Sequence, residues 1–246
     1  MLIKRAVDLI ASGLGLILLS PLLLPIIFLV WLQDFNNPFY VANRIGLREK
    51  PFKMIKLRSM KINADSSGVD STSSNDNRIT TIGRFIRKFK LDEFSQLINV
   101  FIGDMSLVGP RPNVKRETDL YTPVEKKLLD VKPGITDFSS IVFADEGEIL
   151  KDSIDPDLDY NQLIRPWKSR LGIFYISVRS FSIDLRLILL TVISIFSRNY
   201  ALLKVSDLLS KNGAEKKLVE ISLRKNVLKP TPPPGSSKIV KQRLQN

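Results

Sequence analysis

The chain has 246 residues, with 37 Lys and Arg against 25 Asp and Glu, for a net charge of +12. That length suits one domain of moderate size, and the basic balance asks for an anionic partner: a nucleic acid, an acidic membrane surface or a phosphorylated substrate. The lack of Cys and His excludes disulfides, thiolate nucleophiles, Cys/His zinc sites and the commonest general base, which leaves carboxylates, Lys, Arg, Tyr or Ser for catalysis and a hard, oxygen-bound metal, Mg2+ first, for any ion.

Residues 6–32 are almost all apolar, long enough to span a bilayer, which takes about 20 residues. A signal peptide fits poorly, because the run is too long and no small-residue cleavage site follows. A plain spanning helix stays open, but three features favour a re-entrant hairpin. Asp8 lies just inside the segment, where a charge needs a partner such as Lys4 or Arg5. Ser20-Pro21 falls near the middle, with Pro25 one turn later, and proline removes a backbone donor and kinks a helix. Both flanks are basic, with Lys4 and Arg5 before and Arg44, Arg48, Lys50, Lys53, Lys56 and Arg58 after. The positive-inside rule then holds both ends in the cytoplasm.

Two short strands follow, Phe39-Tyr40-Val41 and Phe52-Lys53-Met54-Ile55, with Gly46 in the turn between them. Residues 64–77 are rich in Ser, Asp, Asn and Gly and predict a mobile loop. Ile82, Phe85, Ile86 and Phe89 repeat at helical spacing behind Thr80 or Thr81 as cap, and Phe94, Leu97, Ile98, Phe101 and Ile102 form a second such stripe. Only Lys90-Leu91-Asp92-Glu93 separates the two, so they form a tight helical corner. Residues 122–131 predict a helix ended by Pro133-Gly134, and the apolar run 185–196 is too short to span. It reads equally as a core helix or as one lying on a membrane surface. The fold expected is α+β and mainly helical, with a re-entrant membrane helix, a short β-hairpin and a helical catalytic core with interfacial amphipathic helices. The boundaries are 1–36 for the membrane helix, 37–203 for a cytoplasmic catalytic domain at the membrane interface, and 204–246 for a basic, Pro-rich, disordered tail.

Asp92-Glu93 is the strongest local signal for chemistry. At a helix start such a pair is often plain capping and dipole chemistry. Two adjacent ionised carboxylates also repel unless a cation joins them, and Mg2+ is the natural bridge. Arg87 lies five residues upstream of Asp92, close enough for a turn to bring both to one pocket. Lys56-Leu57-Arg58-Ser59 closes the hairpin, and Gly109-Pro110-Arg111-Pro112 holds another Arg in a stiff setting. Each cation alone is more often a solvated charge. Together with the acidic pair they suit phosphoryl chemistry, with a metal to neutralise phosphate and Arg to grip it bidentately.

The sequence resembles the bacterial sugar transferase family, the monotopic phosphoglycosyl transferases that act on polyprenyl phosphate. The resemblance rests on Lys4-Arg5 with Asp8, Ser20-Pro21, Arg44-Ile45-Gly46, Lys56-Leu57-Arg58-Ser59-Met60, Gly83-Arg84-Phe85-Ile86-Arg87, Leu91-Asp92-Glu93, Asn99-Val100, the run Gly103 to Pro112 and Pro133-Gly134-Ile135-Thr136, in the family's order. It implies a membrane helix broken at Ser20-Pro21, a site at the cytoplasmic face of the bacterial inner membrane in contact with its lipids, and a short form with no multi-helix domain ahead of the catalytic part. It also implies that Asp92 is the nucleophile and Glu93 its partner, that both hold Mg2+, and that Lys56, Arg58, Arg87 and Arg111 bind substrate. The substrates that the resemblance implies are a UDP-sugar and polyprenyl (undecaprenyl) phosphate. The reaction it implies runs through a covalent phospho-sugar on Asp92 and opens a surface glycan or glycoprotein pathway. Ala42, Leu57, Ser95 and Ile98 depart from common family residues without removing a charged position, and the segment through Asp145-Glu146 is where sugar choice is expected.

A non-catalytic membrane scaffold of an envelope-assembly complex is the alternative, and it predicts tolerance of changes at Asp92. A lipid-phosphate phosphatase would release inorganic phosphate rather than UMP. A nucleic-acid partner is not expected, since no helix-turn-helix or aromatic RNA-binding signature accompanies the basic charge.

Overall fold

The computed structural model describes residues 2–64, 72–73 and 75–241, so the loop expected over 64–77 lies largely outside the described residues. Its first element, α1 (Leu2–Leu32), is one helix that contains Pro21 and Pro25. By length and apolar composition it can cross a membrane; at 1.5 Å per residue it is about 46 Å long. Helical structure continues through Ser20-Pro21 instead of ending there, and Ser20 Oγ donates back to Ile17 O at 2.7 Å, a local bond of the kind that bends helices without stopping them.

Both ends of α1 are tied to the same domain. At the start, Lys4 binds Val108 O and pairs with Asp184, and Arg5 donates to Val100 O and Phe101 O. Asp8 is buried, and it accepts from Ser106 Oγ and Leu107 N rather than pairing with Lys4 or Arg5. Those hydrogen bonds replace the water that a carboxylate loses on burial. At the other end, Ile26 and Val30 pack with Leu57, Ile86 and Leu91.

The expected hairpin forms from β1 (Phe39–Ile45) and β2 (Pro51–Leu57), antiparallel with Phe39 opposite Leu57. Next, α2 (Thr81–Lys88) is capped by Thr80, whose Oγ1 accepts from Gly83 N at 2.9 Å. The second predicted helix divides into α3 (Leu91–Phe94) and α4 (Leu97–Ile102), and Lys90 enters α3 with φ of 54°. Arg5 thus satisfies carbonyls at the C-terminal end of α4, groups that every helix leaves open.

Two quoted motifs meet as strands that no periodicity marks: β3 (Ser106–Val108) runs parallel to β4 (Gly134–Thr136). Gly109 N donates to Thr136 O and Gly134 N to Pro110 O, each at 2.9 Å. A Cβ on Gly134 would lie 2.1 Å from Gly109 N, so the two backbones approach this closely only because both residues are glycine. Between these strands lie α5 (Lys115–Thr118) and, where a helix was expected over 122–131, a 3-10 segment over Glu125–Asp130.

The rest is helical: α6 (Phe138–Val142), α7 (Glu146–Ile149), α8 (Pro156–Asp159), a π-helical turn over Tyr160–Ile164, α9 (Arg165–Val178), α10 (Phe181–Phe196), α11 (Arg198–Lys211) and α12 (Lys216–Ser222). The main core gathers Phe138, Ile141, Ile164, Leu171, Leu187 and Leu209. Helix α10 buries Ile183, Leu187 and Leu190 and exposes Leu185, Leu189, Val192 and Phe196, so it has a core face and an unburied apolar face.

The disordered tail expected over 204–246 differs from what its described part forms. Residues 204–222 contribute to α11 and α12, Leu228 joins the core, and the proline-rich stretch lies across the domain. Thr231 N donates to Gln162 O, Arg170 to Pro232 O and Gln162 Nε2 to Val240 O. Proline limits the entropy that such a strap loses on docking, which composition alone does not reveal.

The buried Glu125–Arg165 pair pins α9 to the 3-10 segment. Their side chains are 0% and 2% exposed and 2.6 Å apart, and Thr122 N and Ser169 Oγ also donate to the carboxylate. Glu125→Ala leaves a buried guanidinium without its counter-charge. The expected cost is about 3–5 kcal/mol, read as a fall in the unfolding transition of the detergent-solubilised protein. A change below about 1 kcal/mol would contradict it.

Candidate active site

Three parts of the fold converge on Asp92 and Glu93. The base of the hairpin brings Lys56, α2 brings Arg87, and the stiff segment after β3 brings Arg111. The geometry is fixed by backbone-directed bonds. Asn99 of α4 accepts from Ile55 N at 2.8 Å and donates to Lys53 O at 2.7 Å, so it clamps α4 to β2. Ser95 Oγ donates to Asp92 O and Ile55 O, which ties the turn carrying Asp92 to the same strand. The Pro110 carbonyl, held by Gly134 N, fixes the stem from which Arg111 extends.

The two carboxylates have different surroundings. Glu93 Oε1 pairs with Arg111 Nη1 at 2.9 Å. Among the described residues, Asp92 has no ion pair and its carboxylate no hydrogen-bond donor. Burial pushes Asp92 above the usual carboxylate range, and Glu93 adds to the rise while Lys56 and Arg87 oppose it. Burial also acts upward on Glu93, but Arg111, Lys90 and Lys56 outweigh it and hold Glu93 below its ordinary value. One carboxylate is therefore pinned and ionised. The other is open and short of stabilising charge, a division typical of catalytic pairs.

The cations fit that division. Burial lowers Lys56 to about 8, with Arg111 adding to the fall and Asp92 and Glu93 opposing it. Arg87 is lowered by burial, and its Nε donates to Ser59 Oγ at 2.9 Å. Glu93 first of all raises Arg111 above its ordinary value. Arg87 lies near enough to Asp92 to feel its charge, and its terminal nitrogens have no partner among the described residues.

Arg58 stands apart from the other sequence candidates. It is 8% exposed and grips Asp34 with both terminal nitrogens, at 2.5 and 2.6 Å, while its Nε donates to Asn37 O. That guanidinium holds Asp34 down at about 2. Arg58 therefore fastens the exit of α1 to the hairpin and does not face the carboxylates. Lys4, Arg5 and Asp8 likewise secure the start of α1, and Ser20 and Pro21 lie at mid-helix. Sequence reading missed Ser59, Ser95 and Asn99 as supports. The one available signal was Asn99, a polar residue set between the apolar Ile98 and Val100.

An open carboxylate beside a pinned one, facing Lys and two Arg, is equipped to attack or bind a phosphate ester. Replacing Arg87 by Lys keeps the charge and loses the planar fork. The expected result is a drop in kcat/KM of at least about 10-fold, matching a charge-assisted hydrogen bond worth roughly 1.5–3 kcal/mol. Near-wild-type kinetics would reduce Arg87 to a structural tie for Ser59.

Comparison with known proteins follows the same lines. Residues 1–198 match the family described as bacterial sugar transferase. A UDP-glucose:undecaprenyl-phosphate glucose-1-phosphate transferase of Escherichia coli K12 is 38% identical over 68% of this chain and 37% of its own length. The protein of that name in Caulobacter vibrioides is 32% identical over 80% of this chain and 71% of its own. A UDP-N-acetylgalactosamine-undecaprenyl-phosphate N-acetylgalactosaminephosphotransferase of Aeromonas hydrophila is 32% identical over 70% of this chain and 42% of its own. The chain thus spans well under half of the first and third of these relatives.

Proposed function

The chain belongs to the bacterial sugar transferase family, and from that premise we propose that it transfers a sugar 1-phosphate from a UDP-sugar to undecaprenyl phosphate. The observation that carries the reading is the open Asp92 carboxylate, set against a Glu93 already paired with Arg111. Asp92 attacks the sugar-linked phosphorus, the bond to the UMP oxygen breaks, and UMP leaves with that oxygen's electron pair. The phospho-sugar stays on Asp92 as an acyl phosphate. An oxygen of the undecaprenyl phosphate then attacks the same phosphorus, freeing Asp92 and giving undecaprenyl-diphosphate sugar. The covalent route divides one hard displacement into two. The acceptor phosphate is already largely ionised at neutral pH, so no strong base is required, and Lys56, Arg87 and Arg111 are placed to offset charge at the reacting phosphate.

Asp92 and Glu93 also suit Mg2+. Among the described residues no third carboxylate joins them, and Mg2+ is held by one or two carboxylates with substrate phosphates and water filling its remaining positions. The ion would supply neutralisation of phosphate charge. The test of the reaction is UMP release across a panel of UDP-sugars with undecaprenyl phosphate. Release of inorganic phosphate, or no UMP from any donor, would overturn it.

We also place the domain on the cytoplasmic face of the inner membrane, with α1 entering and leaving on that side. What supports this is that Lys4 and Arg5 at one end of α1, and Val30 at the other, all contact the same domain. A Leu2→Cys variant should resist a membrane-impermeant maleimide added to intact cells, a clean probe because the chain has no other cysteine. Labelling from outside would mean that α1 crosses.

A further inference from the structure

The stem Pro110-Arg111-Pro112 is gripped from two sides. On one side α9 passes so close that a Cβ on Gly172 would lie 2.8 Å from Leu128 Cδ2 and 3.7 Å from Pro110 Cβ. On the other, Asn113 Nδ2 donates to Tyr121 OH at 2.7 Å, and Tyr121 is buried with Ile45, Leu128 and Leu129. We propose that the proline-rich strap over residues 229–241 is a positioning element for Arg111, because it staples together the two elements that grip this stem. This rests on the transferase reading above, in which Arg111 offsets charge at the reacting phosphate.

The strap bonds to both grips. Arg170 of α9, two residues before Gly172, donates to Pro232 O at 3.0 Å. Thr122, the residue after Tyr121, donates through Oγ1 to Pro234 O at 2.5 Å and accepts from Glu125 N at 3.1 Å. Gln162, in the π-helical turn that leads into α9, accepts from Thr231 N and donates to Val240 O, so it holds the strap at two points. Pro233 and Pro234 are buried. Gly235 follows with φ of 81°, and a Cβ there would lie 2.6 Å from Val124 Cγ2.

The Glu125–Arg165 pair already joins α9 to the 3-10 segment at the start of the helix. The strap adds a second tie at Arg170, more than a turn nearer to Pro110. Placement at this level matters for a group that stabilises charge at phosphorus, since a shift of about 1 Å caused far from the chemistry costs up to about 10²-fold. The strap lies outside residues 1–198, the part that matches the family, so the family assignment does not account for it.

The test is a mutant cycle in the full chain. Gly235→Val sets a branched side chain against Val124 at a positive φ and should release the strap, read as faster hydrogen exchange at the Thr231 amide. The kinetic readout is kcat/KM for a UDP-sugar that yields UMP. Gly235→Val should lower it about 10-fold in the wild type and again in an Arg87→Lys background, because Arg87 does not stand on this stem. In an Arg111→Lys background the same change should cost no more than about 2-fold, since the planar fork that the stem aims is already gone. An equal loss in all three backgrounds, or a loss in none, would overturn the proposal and leave the strap a stabiliser of the fold alone. Unchanged exchange at Thr231 would overturn it as well. If Gly235→Val does not yield folded protein, Gly235→Ala carries the same cycle with the same outcomes. A wild type that releases UMP from no UDP-sugar would sink the transferase reading first, whereas one that releases UMP and gives an additive cycle sinks only the role of the strap.

Discussion

Asp92→Asn should abolish turnover and leave the fold in place. The amide is nearly the same size, and the Asp92 side chain holds no ion pair or hydrogen bond among the described residues that the change would break. An amide cannot form the acyl phosphate, so the loss is that of a nucleophile, at least about 10³-fold in kcat. Unfolding in detergent should be unchanged or slightly improved, because burial without a partner disfavours the wild-type carboxylate. Steady-state activity within about 10-fold of wild type in the Asn variant would contradict the covalent route. It would leave Asp92 as at most a metal ligand or binding group.

Removing divalent metal should be nearly as damaging. Two adjacent carboxylates face a donor diphosphate that brings more negative charge. Of the nearby cations, Arg111 is already committed to Glu93, which leaves Lys56, still largely protonated at neutral pH, and Arg87. Those two charges face an ionised Asp92 as well as the diphosphate, so a divalent cation is needed to complete the balance. EDTA should therefore stop UMP release by about 10²-fold or more, and Mg2+ or Mn2+ should restore it. Full activity in metal-free buffer would mean that Lys56, Arg87 and Arg111 suffice alone.

The site was more legible in the sequence than the means by which it is held. The stripe Ile82, Phe85, Ile86 and Phe89 behind Thr80 marked α2, and the two short strand-like runs on either side of Gly46 marked the hairpin, because both signals are local. Asp92-Glu93, Arg87 and Arg111 stood out as charges in stiff or capped settings, and the fold brings them together. Arg58 looked equivalent to Lys56 two residues away. Its real partner, Asp34, lies 24 residues upstream, and no pattern announces that contact. The strands β3 and β4 are three residues each, too short for any period, and only the glycines at their crossing hint at close backbone approach. Nor does composition distinguish a proline-rich strap docked through Thr231 and Pro232 from a free tail.

The central claim is that Asp92 carries the phospho-sugar. The most direct measurement is the intact mass of the protein after incubation with a UDP-sugar and Mg2+ and no acceptor. The wild type should gain the mass of one phospho-sugar, release one UMP per chain, and lose the adduct when undecaprenyl phosphate is added, while Asp92→Asn gains nothing. A wild type that turns over with acceptor present, yet shows neither adduct nor UMP without it, would contradict the account and point to direct transfer between the two substrates.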